Sequence, residues 1–543
     1  MVLKFKNGVL HVNSKSYSST IISNIVGLRN SLYTPQYPVR YAIETKAIMM
    51  MTAILTKIVV VAILLCFTPL ATVTPAAASS LSYQSHQFLA VQEIIHNTKS
   101  ASHVPQTNLF DHEVLESESH SGKRWKLNLV HRDKLSVNDD GHRRRTEARL
   151  KRDVKRVAIL NSRIGGNHTT GSVGGGRFEV EEIGSEVVSG MRQGSGEYFV
   201  RIGVGSPPRS QYMVVDSGSD VVWVQCLPCK QCYQQSDPLF DPANSASFVA
   251  VSCGSPVCQH AETAVGCHGH GGGRWCKYEV SYGDGSFTKG TLALETLSFG
   301  NTFIRNVAIG CGHRNQGLFI GAAGLLGIGG GSMSLVSQLG GEAGGAFSYC
   351  LVSRGTGSLG SLEFGRESLP TDSAVWVPLL RNPKAPSFYY VGLSGLGVGG
   401  VQVTIPEPIF KLSDMGHGGV VMDTGTAVTR LPTVAYKTFR DAFIAQTTNL
   451  PRARPVSIFD TCYDLNGFVT VRVPTVSFYF SGGPILTLPA SNFLIPVDDM
   501  GTFCFAFAPT SSGLSIIGNI QQEGIQISFD SENGLMGFGP NVC

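Results

Sequence analysis

The sequence predicts a mainly β protein built as two related lobes, and three observations support this fold class. The chain of 543 residues contains 63 glycines and few long runs of strong helix formers, which favours strands joined by many turns. A short aspartate motif occurs twice, and the sequence around it repeats as well. Because a chain of this length can bury two substantial cores, each copy of the motif is assigned to a lobe of its own.

The repeated motif is an apolar run that ends in Asp-Ser-Gly or Asp-Thr-Gly. The first copy is VVDSGSDVVWVQC, residues 214–226, and the second, GVVMDTGTAVTRL, spans residues 419–431. Asp216 and Asp423 occupy the same place in the two copies, 207 positions apart. One such tripeptide is a common turn, but two in the same apolar context indicate a duplicated unit.

The flanking segments repeat too. YFVRIGVG at 198–205 corresponds to YVGL at 390–393 before the second copy, and GLLG at 324–327 corresponds to SIIG at 515–518 after it. Each half is therefore predicted to contain a strand, the aspartate turn, a long excursion and an apolar-apolar-Gly strand.

Another motif lies in the first lobe, YEVSYGDGS at residues 278–286. Alternating strand-like residues that lead into Gly-Asp-Gly predict a hairpin. The hairpin is either an ordinary surface turn or a functional element.

Together these motifs show that residues 190–543 resemble the pepsin-like aspartic proteases of family A1. The similarity is greatest to the plant subgroup of nepenthesin, nucellin-like proteins and the guard-cell aspartic proteases. The resemblance implies a bilobal pepsin-like fold of two β-barrel-like lobes. It also implies polypeptide substrates bound in an active-site cleft between the lobes, one catalytic aspartate from each lobe, no cofactor and no metal.

The implied chemistry explains why two carboxylates are needed. Two carboxylates held close together cannot both ionise cheaply, so they share a proton and titrate as a pair. The ionised member takes a proton from the water that attacks the peptide carbonyl, while the protonated member hydrogen-bonds the developing oxyanion. We expect Asp216 and Asp423 to be this pair.

The resemblance also assigns the residues around the pair. The hydroxyls that follow the aspartates are expected either to bridge the two turns or to bond the outer carboxylate oxygens, and the glycines allow close approach. The supporting residues are Ser217, Gly218, Ser219, Thr424, Gly425 and Thr426.

By the same resemblance, Tyr282 is the tyrosine of a flap that closes over bound peptide, with Gly283 and Asp284 at its tip. Trp223 is expected to hold the tyrosine hydroxyl. The alternative for Trp223 is a plain core tryptophan.

Cysteine usage indicates an oxidising compartment. Of 13 cysteines, Cys66 lies in an N-terminal apolar segment, and the other 12 fit six disulfides. The alternative is a zinc site that includes His268 and His270. The resemblance implies the pairs Cys226 with Cys229, Cys232 with Cys311, Cys253 with Cys276, Cys258 with Cys267, Cys350 with Cys543, and Cys462 with Cys504.

The N-terminal part predicts a processed precursor. Lys57, an apolar run and the small residues 76–79 describe a secretory signal peptide within residues 49–78, with a retained anchor as the alternative. Residues 1–48 are an extension, either a transit peptide or sequence upstream of the true start. The remaining boundaries are a prosegment at 79–190, an N-terminal lobe at 191–372 and a C-terminal lobe at 373–543.

The predicted prosegment is strongly basic. Between Lys123 and Arg163 it carries 14 basic and 5 acidic residues, and residues 191–543 carry 20 basic and 24 acidic residues. Leu150, Val154 and Val157 recur among the basic residues at helical spacing. We expect this segment to bind and inhibit the acidic cleft near neutral pH, and to bind it less tightly as carboxylates become protonated. Activation is expected to follow cleavage between about residues 165 and 195, a Gly/Ser-rich stretch typical of a linker.

These expectations describe a secreted, monomeric aspartic endopeptidase in the extracellular space, the endoplasmic reticulum or the vacuole, with no membrane contact after signal cleavage. Asn167, in Asn-His-Thr, is its glycosylation sequon. Two alternatives remain. One is a non-catalytic inhibitor of the same fold, and the other is nucleic-acid binding through the basic run, although no nucleic-acid partner is expected.

Overall fold

The computed structural model describes much of the chain from residue 85 onward and two short strands before it. The described residues are 4–6, 9–11, 85–100, 125–132, 142–164, 198–261, 263–268, 274–282, 286–317, 319, 321–343, 345–352, 359–370 and 374–539. The predicted signal peptide, Asn167, the predicted cleavage region and the flap-tip residues Gly283 and Asp284 lie outside them. The chain divides into two compact units, residues 1–81 and 82–543.

The described part of the first unit is one hairpin, and the described helices all belong to the second unit. The hairpin strands are β1, Lys4–Lys6, and β2, Val9–His11. The helices are α1 Val91–Ser100, α2 His142–Ile164, α3 Pro256–His260, α4 Leu335–Leu339 and α5 Thr433–Ala445. Within the described ranges, none of these helices has the length and apolar character needed to cross a bilayer.

The described secondary structure of the second unit consists mainly of β-strands, as predicted. Its strands before residue 370 are β3 His86–Ala90, β4 Trp125–His131, β5 Tyr198–Val204, β6 Arg209–Asp216, β7 Trp223–Gln225, β8 Val249–Ala250, β9 Ala264–His268, β10 Trp275–Ser281, β11 Phe287–Phe299, β12 Thr302–Gln316, β13 Gly324–Gly327, β14 Ala346–Cys350 and β15 Gly360–Phe364. The later strands are β16 Val375–Leu380, β17 Tyr389–Val391, β18 Leu393–Val398, β19 Val401–Gln402, β20 Val420–Met422, β21 Thr429–Pro432, β22 Arg452–Ala453, β23 Cys462–Asp464, β24 Thr470–Pro474, β25 Val476–Phe480, β26 Ile485–Leu488, β27 Leu494–Pro496, β28 Thr502–Phe505, β29 Phe507–Thr510, β30 Ser515–Ile517, β31 Gln526–Asp530 and β32 Leu535–Phe538.

The internal repeat has the same strand arrangement in both halves. In the first half β6 ends at Asp216 and runs parallel to β13, with Asp216 opposite Gly327. In the second half β20 ends at Met422, one residue before Asp423, and runs parallel to β30 with Met422 opposite Ile517. The apolar-apolar-Gly segments are therefore the strands that lie beside the aspartate turns. Both turns begin where a buried strand ends, so the carboxylates are held by rigid elements.

A six-stranded antiparallel sheet joins the two halves. Its strands run in the order β4, β15, β14, β31, β32, β16. Phe347 of β14 and Phe529 of β31 stack with ring centroids 4.5 Å apart, and both side chains are fully buried. Because one strand pair carries residues from distant parts of the chain, this sheet fixes one half of the second unit against the other.

Three segments that precede residue 190 are built into the structure. Strand β3 pairs with β24, and β4 forms the edge of the six-stranded sheet through β15 and also pairs with β5. Helix α2 packs through Leu150 against a cluster in the second half, and through Val157 and Leu160 against another. The predicted prosegment is thus packed onto the domain along its described length.

The disulfides correct most of the expected pairing. The structure joins Cys226 to Cys311, Cys229 to Cys232, Cys253 to Cys267, and Cys258 to Cys276. The expected pairs Cys226–Cys229, Cys232–Cys311, Cys253–Cys276 and Cys258–Cys267 are therefore wrong. The physical reason for the first is strand register: β7 runs parallel to β12 with Val224 opposite Cys311, which brings Cys226 to that cysteine.

The remaining cysteines agree with the expectation as far as the described residues go. Cys462 pairs with Cys504, its direct partner across β23 and β28. Cys350 is also disulfide-bonded, and its expected partner Cys543 lies outside the described residues. Since every cysteine of the cluster near His268 is in a disulfide, that cluster offers no free thiolate to zinc.

Candidate active site

The two aspartate turns interlock through their backbone and hydroxyl groups. The amide of Ser217 donates to Oγ1 of Thr424 at 3.2 Å, and the amide of Thr424 donates to Oγ of Ser217 at 3.0 Å. The two hydroxyls are 3.2 Å apart. This reciprocal bonding ties residues 207 positions apart and places Asp216 and Asp423 side by side, as the resemblance implied.

The hydroxyls of Ser219 and Thr426 do not bond the two carboxylates in the same way, although the resemblance implied that they would. Oγ1 of Thr426 donates to Oδ2 of Asp423 at 2.5 Å. The hydroxyl of Ser219 lies close enough to Asp216 to lower its pKa, yet it makes no hydrogen bond of ordinary geometry within the described ranges. Asp216 instead accepts from the amide of Gly218 at 3.0 Å.

The glycines of the two turns are required by close approach. A Cβ added at Gly218 would lie 2.8 Å from Oδ1 of Asp423 and 2.3 Å from Nη2 of Arg156. A Cβ at Gly425 would lie 2.9 Å from Cζ of Arg156. Any side chain at either position would therefore push against the carboxylates or against the group that contacts them.

That group is the guanidinium of Arg156, from helix α2, which lies between the two carboxylates. Its Nη2 donates to Oδ1 of Asp216 at 2.6 Å and to Oδ1 of Asp423 at 2.7 Å. Nη1 donates to Oδ2 of Asp216 at 3.2 Å and Nε to Oδ2 of Asp423 at 3.0 Å. One arginine thus satisfies both carboxylates in a bidentate manner, the strongest geometry available to such a pair.

Burial and charge act in opposite directions at this site. Burial alone would raise the pKa of Asp216, but the charge and hydrogen bonds of Arg156 outweigh it and hold that pKa below its ordinary value. Burial would likewise lower the pKa of Arg156, but the two aspartates raise it above its ordinary value. With Arg156 bound, Asp216 and Arg156 are both held in their charged forms.

Helix α2 presents a charged face to the domain at one-turn spacing. Arg149, Asp153 and Arg156 are all buried. Arg149 bonds Asn519 and Glu523, the latter at 3.2 Å. Strong helix formers such as Ala, Leu, Arg and Lys fill the segment, so helix formation follows from the sequence, whereas the buried charges depend on partners elsewhere.

Asp153 is enclosed by groups from the second aspartate loop and from β21. Its Oδ1 accepts from the amides of Ala427 and Val428 at 2.6 and 2.9 Å, and its Oδ2 accepts from Nη2 of Arg430. Burial raises the pKa of Asp153, against the opposing influence of Arg430 and the two amides. Of the apolar residues that predicted this helix, Leu150 and Val157 are buried but Val154 is exposed.

The expected flap contact is present. Nε1 of Trp223 donates to the hydroxyl of Tyr282 at 3.0 Å, and both side chains are buried. Phe319 packs edge-on against both rings, at centroid distances of 5.1 and 5.7 Å. The tyrosine is therefore fixed by a hydrogen bond and by aromatic packing.

Sequence reasoning placed Asp216 and Asp423 together but missed Arg156, Asp153 and Arg430. The basic run at helical spacing was the available signal, because a positive helix opposite an acidic cleft must place some cation near the carboxylates. The sequence alone does not show which cation, since Arg156 is 60 and 267 positions from its two partners.

Known proteins resemble this chain over the region that contains the two aspartate turns. Family models described as the xylanase inhibitor N-terminal and C-terminal domains match residues 198–366 and 388–540. The Arabidopsis thaliana protein ASPARTIC PROTEASE IN GUARD CELL 2 is 68% identical over 424 residues, which is 78% of this chain and 88% of that protein. Aspartic proteinase nepenthesin-2 of Nepenthes gracilis is 40% identical over 356 residues, 64% of this chain and 78% of that protein.

Solved structures share the fold. The crystal structure of edgp has a TM-score of 0.53 at 22% identity and covers 63% of this chain and 91% of that one. Conglutin gamma of lupine seeds has a TM-score of 0.51 at 21% identity and covers 65% and 94%. At these identities the likeness concerns the fold alone.

Proposed function

Because this chain belongs to the plant pepsin-like aspartic proteases and is an aspartic endopeptidase, we propose that it is made as an inactive precursor and acts at acidic pH. In this proposal residues 79–190 are an inhibitory prosegment. Asp216 and Asp423 are the catalytic pair of the mature enzyme.

The observation that carries the proposal is the position of Arg156. Its guanidinium bonds all four carboxylate oxygens of the pair at 2.6 to 3.2 Å. The attacking water has to lie against these same oxygens to give up its proton. With Arg156 in place, neither that water nor a substrate carbonyl can reach the carboxylates, so the precursor is inactive.

Removal of helix α2 restores the chemistry. Without the cation, the two carboxylates cannot both stay ionised and one takes up a proton. The ionised member then activates water, and the protonated member stabilises the oxyanion. The interlocked hydroxyls of Ser217 and Thr424 keep the two turns at the required separation, because they are hydrogen-bonded independently of Arg156.

The pH dependence follows from the lowered pKa of Asp216 in the docked state. The docked state binds a proton less readily than the free pair, so docking is strongest near neutral pH and weakens as pH falls. The weakening begins at or above the ordinary aspartate value of about 4, because the free pair shares a proton. Asp153 acts in the opposite sense, since burial raises its pKa, and therefore does not drive release.

Burial of the basic helix favours an intramolecular role over nucleic-acid binding. Arg149, Arg152 and Arg156 face the domain in the described structure, so they are not presented to phosphate groups. Secretion is supported by the disulfides and by the signal-like sequence at 49–78. Polypeptides are the substrates, and the prosegment is the intramolecular inhibitor.

The test is peptide cleavage by the acid-activated protein across pH 3 to 7. We expect activity that rises toward acidic pH and responds to pepstatin, a general inhibitor of this enzyme class. Asp216→Asn and Asp423→Asn should each abolish it. Unchanged activity in either variant, with the fold intact by circular dichroism, contradicts the proposed mechanism.

A further inference from the structure

The groups that enclose Asp153 belong to the mature domain, whereas Asp153 itself belongs to the predicted prosegment. The amides of Ala427 and Val428 and the guanidinium of Arg430 all point at one carboxylate. Arg430 is only 4% exposed, and its Nε has no hydrogen-bond partner within the described ranges. Such a combination of two backbone amides and an arginine is a carboxylate-binding site built into the domain.

Loss of the helix leaves this site without its anion. A buried guanidinium and two backbone amides without acceptors are costly unless water or a ligand satisfies them. Arg149, the other charged residue that acts on Asp153, leaves with the same helix, while its partner Glu523 stays on the domain. The vacated site therefore retains Arg430 as its cation, and Glu523 is an acidic residue of the domain that loses its partner Arg149 when the helix leaves.

The site lies next to the catalytic pair. Asp153 and Arg156 are three residues apart on one helix, about 4.5 Å along its axis at the standard rise, and Arg156 contacts both aspartates. An extended peptide advances about 3.3 Å per residue. A carboxylate bound where Asp153 lies thus belongs to a substrate residue one or two positions from the bond that is cleaved.

We propose that Ala427, Val428 and Arg430 form a subsite of the mature cleft that selects an aspartate or glutamate side chain of the substrate, and that Asp153 occupies it in the precursor. This proposal rests on the proposed function, because it requires that helix α2 leaves the cleft. The prosegment then blocks the enzyme twice, with Arg156 at the carboxylates and Asp153 at a specificity site.

The experiment compares peptides that differ only by Glu or Gln. The full chain is expressed with a site for a sequence-specific protease inserted between residues 170 and 176, so that the protein folds with its prosegment, which is cut and removed afterwards. Glu and Gln are placed in turn at each of four positions on either side of the cleaved bond. We expect one position, close to that bond, to favour Glu by about 10- to 100-fold in kcat/KM, the range for a charged hydrogen-bonded contact.

The key variant is Arg430→Gln. Made alone, it leaves Asp153 buried without its ionic partner in the precursor, so it is combined with Asp153→Asn, which the activated enzyme does not carry. We expect the preference for Glu to fall to within about threefold of unity, because only the two amides remain. Asp153→Asn alone and Arg209→Gln, an exposed arginine of the first half, should keep the preference.

The peptides are compared at pH 5.5, where a substrate glutamate, whose ordinary pKa is about 4.3, is ionised in solution. A ratio near one at all positions, or a preference that survives Arg430→Gln, overturns the subsite. Failure of the proposed function gives a different result, because then no peptide is cleaved or the uncut precursor is equally active.

Discussion

Arg156→Gln should convert the inactive precursor into a leaky one. The substitution removes the cation that bonds both catalytic carboxylates at 2.6 to 3.2 Å. Breaking a buried ion pair from one side costs about 3–5 kcal/mol. Since the two aspartates can then share a proton, we use the lower end, about 3 kcal/mol. That corresponds to about a 150-fold rise in the open fraction at 1.36 kcal/mol per tenfold.

The assay is the initial rate of peptide cleavage by the uncut precursor at pH 5.5, with gel analysis showing that the prosegment is still attached. The expected result is an increase of about two orders of magnitude over the parent precursor. After the prosegment is cut and removed, both proteins should have the same rate, because the mature enzyme does not contain residue 156.

Lys155→Gln is the matched control. Lys155 adjoins Arg156 on α2 but is exposed, so the same loss of charge there should leave the precursor as inactive as its parent. If Arg156→Gln also leaves the precursor inactive, the arginine does not block the site. If both variants activate equally, the effect comes from net charge and not from the contact.

Other predictions concern release, the flap and the disulfides. When the linker has been cut at pH 7, the prosegment should stay bound in gel filtration. It should dissociate increasingly as the pH falls toward and through about 4, because the pKa of Asp216 is lowered in the docked state. Release that increases as the pH rises contradicts this prediction. Tyr282→Phe leaves the buried N–H of Trp223 without its acceptor, so the free energy of unfolding in urea should fall by about 1–3 kcal/mol, and no change would show that the bond is dispensable. Replacing Cys226 and Cys311 together by serine opens a loop of 85 residues, for which chain entropy predicts a loss of about 4–5 kcal/mol. A non-reducing peptide map should join these two cysteines, and a map that joins Cys226 to another cysteine refutes the pairing.

The parts of the fold that could be predicted from sequence are those encoded by a repeated local pattern. Both aspartate turns, with the strands that lead into them and the apolar-apolar-Gly strands beside them, lie where the duplication placed them. The contact between Trp223 and Tyr282 also agrees with the resemblance. In each case the type and spacing of the residues in the sequence are enough to predict the structural element or contact.

The parts that could not be predicted depend on which distant groups meet. Connectivity among clustered cysteines is set by strand register, as at Cys311 opposite Val224. The spacing of the cysteines in the sequence does not reveal that register. The charged face of α2 could not be predicted for a similar reason. A burial pattern inferred from apolar residues misses Arg156, because its partners lie 60 and 267 positions away in the sequence.

Peptide cleavage by one preparation of the full chain, measured before and after the linker is cut, tests the inhibitory role of the prosegment most directly, with the Asp216→Asn protein treated in parallel as the blank. We expect little activity before the cut, at least about a hundredfold more after the prosegment has dissociated, and none in the Asp216→Asn protein at either stage. Equal activity before and after dissociation, or cleavage by the Asp216→Asn protein, would contradict this expectation.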